Sequence, residues 1–224
     1  FLMIASGLVF GTYATVNVDG SFYVSTADHL RFDDATQFAA GDNGPALLTS
    51  AAPAAFGFLG NTSGSITLNR SKITVASGET IGLVANGITI SDDGNFPSFS
   101  NATLLAPEGV ISIQSVASAG EISVDPALLN TLQIPAQNAD LHIVNSLLDN
   151  SGNTPGGSGL RGATLQLDAS TVLSNMIGSG NAGDIHIDAD RFIGNGVGGV
   201  ISSTAADGNG ASIFVDANSV QLNP

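Results

Sequence analysis

Three aspartates, Asp168, Asp188 and Asp216, end runs of one pattern, apolar-x-apolar-Asp-Ala: Leu165-Gln-Leu-Asp-Ala169, Ile185-His-Ile-Asp-Ala189 and Ile213-Phe-Val-Asp-Ala217. If the runs stack as neighbouring strands, their carboxylates stand about 5 Å apart, costing on the order of 1 kcal/mol per neighbouring pair even in water. A bound calcium would relieve this, because hard cations take several carboxylate oxygens. Backbone N–H groups at each strand end, with irregular coils separating the charges, would relieve it without a metal. No Asp- and Asn-rich calcium loop of regular spacing accompanies the three, so the second reading is preferred and no metal site is expected.

Other chemistry finds little support. His29, His142 and His186 are the only imidazoles, and no Gly-x-Ser-x-Gly elbow exists to pair with them. His142 and His186 each occupy the x position between two apolar residues, which predicts exposure rather than catalysis. Asp33-Asp34 and Asp92-Asp93 are adjacent, so in a strand they point to opposite faces and cannot share a substrate bond. Lys72, Arg31, Arg70, Arg161 and Arg191 are scattered singly and read as solvated surface charge. There is no phosphate loop of the Gly-x-x-x-x-Gly-Lys type, and pairs such as Gly156-Gly157 and Gly198-Gly199 read as turns. The expectation is no catalytic residue and no cofactor.

The elements that position these residues are short strands. Period-2 runs bounded by Gly, Asn, Asp and Ser recur at Ser65–Leu68, Lys72–Val75, Thr80–Leu83, Gly87–Ile90 and Val110–Ile113. One helix signal occurs, at Asp125-Pro-Ala-Leu-Leu129, with Asp able to cap and Pro at the first helical position. Gly41 to Ala55 and Asn150 to Gly159 have no period and read as loops. The shared pattern recurs at 185 − 165 = 20 and 213 − 185 = 28 residues, each time followed by an apolar residue: Val172, Phe192 and Val220. Leu141-His-Ile143 lies 24 residues before Leu165, and Ile111-Ser-Ile113 lies 30 after Ile81-Gly-Leu83. A five-residue strand cannot bury its apolar side alone, but copies from successive coils form a continuous parallel sheet. The spacing therefore predicts an all-β parallel β-helix, with Leu165, Leu167 and Ala169 lining up with Ile185, Ile187 and Ala189. A β-sandwich would want antiparallel hairpins instead, and an ice-binding solenoid would want a regular outward Thr-x-Thr array, which is absent.

Composition sets the outer limits. The chain has 224 residues, with 5 Lys plus Arg against 19 Asp plus Glu and a formal charge of −14, a poor surface for nucleic acid. Apolar residues make up 43%, enough for a core, and no run approaches the roughly 18–20 apolar residues of a membrane span. The lack of Cys removes disulfides, thiolate metal sites and Cys nucleophiles. The chain starts inside an apolar stretch, Phe1-Leu-Met-Ile4, and is read as a fragment.

Phe1-Leu-Met-Ile-Ala-Ser-Gly-Leu-Val-Phe-Gly11, with Ala14–Phe22, Ser25–Asp28 and Leu30–Phe32, resembles the secretion (haemagglutination activity) domain of filamentous-haemagglutinin-like exoproteins of two-partner secretion systems. The same stretches resemble cyanobacterial large exoproteins. The resemblance continues through Ile73-Thr-Val-Ala-Ser-Gly-Glu-Thr-Ile-Gly-Leu-Val84 and Ala106-Pro-Glu-Gly-Val-Ile-Ser-Ile-Gln-Ser-Val-Ala117. It implies a right-handed parallel β-helix exported to the cell surface or medium of a Gram-negative bacterium through a dedicated outer-membrane β-barrel transporter. It further implies residues 1–124 as the C-terminal part of the secretion domain, lacking the N-terminal cap, and 125–224 as the first stem repeats. The family's Asn-Pro-Asn-Gly-Ile/Leu secretion motif maps onto Ile4-Ala-Ser-Gly-Leu8, where only Gly7 and Leu8 are kept. The function expected is non-enzymatic attachment, with neutral glycans or surface proteins as partners. The alternative is a carbohydrate-active β-helix enzyme, but motifs such as Asn-Thr-Asp, Gly-Asp-Asp, Gly-His-Gly and Arg-Ile-Lys do not occur.

Overall fold

Alternating apolar residues put one face of each strand toward the interior, and what matters next is which strands supply the facing layer. A computed structural model describes residues 1–41, 49–60, 64–92, 102–125, 137–154, 156–196, 200–205 and 207–224. These residues form strands and turns, with no helix among them. The helix expected at Asp125–Leu129 falls mostly on residues 126–136, outside the described set.

The strands begin with β1 (Leu2–Met3), β2 (Leu8–Phe10), β3 (Thr15–Val18), β4 (Phe22–Ser25), β5 (His29–Phe32), β6 (Gln37–Ala39) and β7 (Pro53–Phe58). Next come β8 (Ile66–Asn69), β9 (Lys72–Val75), β10 (Thr80–Ala85), β11 (Ile88–Ser91), β12 (Ala102–Leu105), β13 (Val110–Ser115) and β14 (Gly120–Ser123). The last are β15 (Leu141–Val144), β16 (Ser146–Asp149), β17 (Ser158–Asp168), β18 (Thr171–Met176), β19 (Ile185–Asn195), β20 (Val200–Ala205) and β21 (Ile213–Asn223). The five expected period-2 strands are all present, as β8 to β11 and β13. The expected loops end early: Pro53–Ala55 already belong to β7, and Ser158 and Gly159 to β17.

Two sheets are wholly parallel and comprise three ladders. The first ladder holds β1, β4, β10, β13 and the N-terminal halves of β17, β19 and β21. The second holds β2, β8, β11, β15 and the C-terminal halves of β17, β19 and β21. The third holds β3, β9, β12, β16, β18 and β20. From Ile66 the chain visits the ladders in a fixed cycle: second at Ile66, third at Ile73, first at Ile81, then second again at Ile88. Ile66, Ile73, Ile81, Ile88, Leu104, Ile111, Leu141, Leu165 and Ile185 are at most 2% exposed in one core cluster. Each such side chain contributes roughly 1.5–3 kcal/mol of burial.

Register explains where the sequence pattern misleads. Ile81 and Ile111 pair as expected, as do Leu141 and Leu165, and Ile185 and Ile213. Leu165, however, faces Phe192, and Ile185 faces Ser158, so the expected alignment of Leu165 with Ile185 does not form. The run at 165–169 lies in the second ladder and leads into a corner, whereas those at 185–189 and 213–217 lie in the first. Ala169 is exposed, with a left-handed φ of 46°, while Ala189 is buried inside a continuous strand. At three corners the chain turns out of the second ladder by one device: a left-handed residue, Arg70, Asn145 or Ala169, followed by a buried serine, Ser71, Ser146 or Ser170. Each serine hydroxyl donates to a carbonyl one strand back in its ladder: Ser71 to Phe10 (3.0 Å), Ser146 to Ile90 (3.3 Å) and Ser170 to Ile143 (3.0 Å).

The third sheet is antiparallel, in the order β14-β7-β5-β6, and buries a second core of Ala27, Leu30, Phe56, Phe58, Val84, Val116 and Ile122. Val84, on the outer side of the first ladder, ties the two cores together.

Candidate functional site

Gly7 and Leu8, which the sequence resemblance sets in the secretion motif, lie at a tight turn. The Gly7 N–H donates to the Ile4 carbonyl at 3.0 Å, and Gly7 has φ +104°, which an L side chain rarely adopts. The neighbouring chain clamps this turn: the Gly64 N–H donates to Ala5 O (2.7 Å) and the Leu8 N–H to Ser65 O (2.9 Å). Leu8 then starts β2 and packs against the main core. Backbone hydrogen bonds hold the turn in the absence of an Asn-Pro-Asn sequence.

On the antiparallel sheet, His29, Gly57 and Glu121 occupy one cross-strand row. A Cβ on Gly57 would lie 2.1 Å from the His29 ring, so only glycine lets that ring cross β7 to within 4.0 Å of Glu121 Oε1. Arg31 Nε donates to Glu121 Oε2 at 2.8 Å. The sequence carries one local signal of this cluster, the glycine between Phe56 and Phe58.

The three aspartates do not form one column. Asp188 and Asp216 are in register, but Asp168 sits beside Asn195. Asp168 accepts from Gln166 Nε2 (2.7 Å) and Asn195 Nδ2, and lies 2.9 Å from His142 Nε2. Burial pushes the Asp168 carboxyl up, yet hydrogen bonds from His142, Asn195 and Gln166, with the nearby His142 charge, outweigh it and hold it below its ordinary value. Asp188 instead pairs with Arg161, its neighbour on β17. Among the described residues no three His, Asp or Glu side chains gather as a metal site.

Two cations are not solvated, contrary to expectation. Arg70 is 6% exposed, pairs with Asp92 at 3.2 Å and lies over the Tyr13 ring at 5.2 Å. Arg161 is 9% exposed. The histidines also differ from expectation. The His142 side chain is 41% exposed, but His186 is half-buried, stacked on Phe214 at 4.6 Å with its Nε2 shut off from water. Asp33 and Asp34 stay at the surface, where Thr49 and Thr36 hold Asp34 below its ordinary value.

A family model for the TPS secretion domain matches residues 1–187 of the 224. The chain belongs to this family. It is therefore part of a two-partner secretion exoprotein, and such exoproteins cross the outer membrane of Gram-negative bacteria with the help of a partner transporter. Within the TPS secretion domain so identified lie the Gly7-Leu8 turn, the antiparallel sheet and, of the Asp168 cluster, His142, Gln166 and Asp168 itself, with Asn195 beyond the match. No curated protein and no solved structure matches the chain. No helix among the described residues is long and apolar enough to cross a membrane.

Proposed function

We propose that the chain winds as a right-handed parallel β-helix and serves as the secretion end and first stem of a surface-displayed adhesin, without catalysis of its own. The observation that carries this is the ladder set: parallel, in register and visited in cyclic order, on a chain whose first 187 residues match a secretion domain. Stacked coils give an elongated surface with many outward side chains, which suits weak multivalent attachment. Residues 1–124 carry every described antiparallel strand and are read as the part that faces the transporter, with the Gly7-Leu8 turn in the recognised region. Residues 125–224 are read as the start of the stem, whose described strands all lie in the parallel ladders. Neutral glycans or surface proteins are the partners proposed, since a formal charge of −14 repels anionic polymers. A cyanobacterial source fits the sequence resemblance.

The test is export. The parent protein, co-expressed with its transporter, should reach the medium or cell surface, and deleting the transporter should trap or degrade it in the periplasm. Export that ignores the transporter would overturn the pathway. Release of reducing sugar or unsaturated product from pectin or alginate, abolished by one Asp or Lys substitution, would overturn the non-enzymatic reading.

A further inference from the structure

Between the third ladder and the first, the coil closes in two different ways. Val75, Ala106, Asn150 and Ser174 follow the register positions Thr74, Leu105, Asp149 and Leu173 of the third ladder, and all four are at most 2% exposed. Glu79, Gly109, Gly156 and Gly183 stand two residues before Ile81, Ile111, Ser158 and Ile185, which are in register across the first ladder. The step from the first column to the second is short where the first is apolar: 79 − 75 = 4 and 109 − 106 = 3 residues. It is long where the first is polar: 156 − 150 = 6 and 183 − 174 = 9 residues.

Both short steps close through the backbone. The Glu79 N–H donates to the Ala76 carbonyl at 3.1 Å and the Gly109 N–H to the Ala106 carbonyl at 2.9 Å. A turn bond of this kind joins residues three apart, so steps of six and nine are beyond it. A buried side chain bridges the long steps instead. Ser174 Oγ donates to the Gly183 carbonyl at 2.7 Å, across the base of the loop 175–182. Asn150 Nδ2 donates at 3.4 Å to the Gly109 carbonyl, which also accepts from the Gly156 N–H at 3.2 Å. The Asn150 bond is long and its Oδ1 has no partner among the described residues, so Ser174 is the stronger tether. Beyond the tethers the loop backbones bind loops of neighbouring coils: Gly152 N–H to Asn175 O (3.0 Å), Ile177 N–H to Gly152 O (2.8 Å) and Ala182 N–H to Asn209 O (3.0 Å). Ser179, in the middle of the longer loop, is exposed.

We infer that the corner between the third and first ladders is an edge at which the coil accepts loops of variable length, because a buried polar side chain, Ser174 above all, closes the coil beneath the loop. The register of the ladders then does not depend on what the loop contains. This holds whatever the exposed surface binds, and so stands apart from the display function.

Urea unfolding of the 224-residue chain tests it by two paired comparisons. With the native loop, Ser174→Ala removes the tether and should lower the folding constant about tenfold. In a second chain residues 175–182 are replaced by Pro-Glu, so that Ser174-Pro-Glu-Gly183 copies Ala106-Pro-Glu-Gly109 and closes through its backbone. There Ser174→Ala should lower the constant by about twofold or less, the difference being the coupling between side chain and loop. Equal losses in the two chains would overturn the tether. In the second comparison an eight-residue Gly-Ser insertion between Gly178 and Ser179 doubles the loop 175–182 and should lower the constant about threefold, the entropy of doubling a loop. The same insertion between Ala169 and Ser170 separates the left-handed residue from the serine that bonds Ile143, and should lower the constant about a hundredfold. Equal losses from the two insertions would overturn the edge. If the chain with Pro-Glu does not fold, the two insertions still decide.

Discussion

Ala169 and Ala189 end the same local pattern yet should respond in opposite directions to glycine. Ala169 is exposed and left-handed at φ 46°, a conformation costing an L residue roughly 1–2 kcal/mol. Glycine removes that penalty but gives back about 0.5–1 kcal/mol through the freer unfolded chain. Ala169→Gly should therefore stabilise by about 0.5–1 kcal/mol. Ala189 is 5% exposed inside β19, so Ala189→Gly loses a buried methyl, about 0.8 kcal/mol, and adds the glycine entropy of about 0.5–1 kcal/mol. It should destabilise by about 1.5 kcal/mol. Urea unfolding of the three proteins gives both signs from the midpoints, with unchanged slopes as the control. Equal destabilisation by the two substitutions would refute the assignment of one alanine to a corner and the other to a through-running strand.

Ser170→Ala removes the acceptor of the buried Ser146 N–H and the donor to Ile143 O, so the urea midpoint should report a loss of about 2 kcal/mol. Asp168 has a lowered folded pKa, so its contribution to stability is complete above the unfolded value of about 3.9 and is lost as pH falls through the folded one. Asp168→Asn should accordingly flatten the acid limb of a stability–pH curve below about pH 4 and leave its neutral shape unchanged. Arg70→Met removes the ion-pair partner of the largely buried Asp92 and should cost about 3 kcal/mol. Adding Asp92→Leu should recover part of that loss in thermal melts, and a double variant no better than the single would contradict the pairing.

The stacking of apolar strands was legible because period-2 runs such as Ile66-Thr-Leu68 and Ile88-Thr-Ile90 carry their own signal, and the 24- and 30-residue offsets do correspond to stacked pairs. The register between 165 and 185 was not legible. Apolar-x-apolar-Asp-Ala serves equally well at a corner and in a continuous strand, and the following residue decides: Ser170 turns the chain, whereas Asp190 and Asn218 continue it. The partner of Ile185-His-Ile-Asp188 is Ser158-Gly-Leu-Arg161, which looks nothing like it. Buried charges were hidden because each partner lies on, or just past, the neighbouring strand of the same ladder. Asp92 follows Arg70 by 22 residues, as Ile88 follows Ile66, and Asp188 follows Arg161 by 27, as Ile185 follows Ser158. The antiparallel sheet was invisible because Pro53, Ala54 and Ala55 have no period. Pairing of β7 with β5 and β14, rather than local preference, makes them a strand.

The central claim is a stack of parallel coils in one register, and cysteine pairing tests it directly because the chain has no Cys of its own. Gln166 and Ile193 are cross-strand neighbours on β17 and β19, which places their Cα atoms about 4.8 Å apart, inside the roughly 4.4–6.8 Å range of disulfides. His186, the residue that a 20-residue repeat would set beside Gln166, lies 193 − 186 = 7 residues from Ile193 along β19, on the order of 20 Å away. With oxidised glutathione as the electron acceptor, the chain carrying Gln166→Cys and Ile193→Cys should close to a monomeric disulfide, read as the loss of two hydrogens, about 2 Da, from its intact mass. The chain carrying Gln166→Cys and His186→Cys should stay reduced. Efficient closure of the second pair and none of the first would contradict the stack.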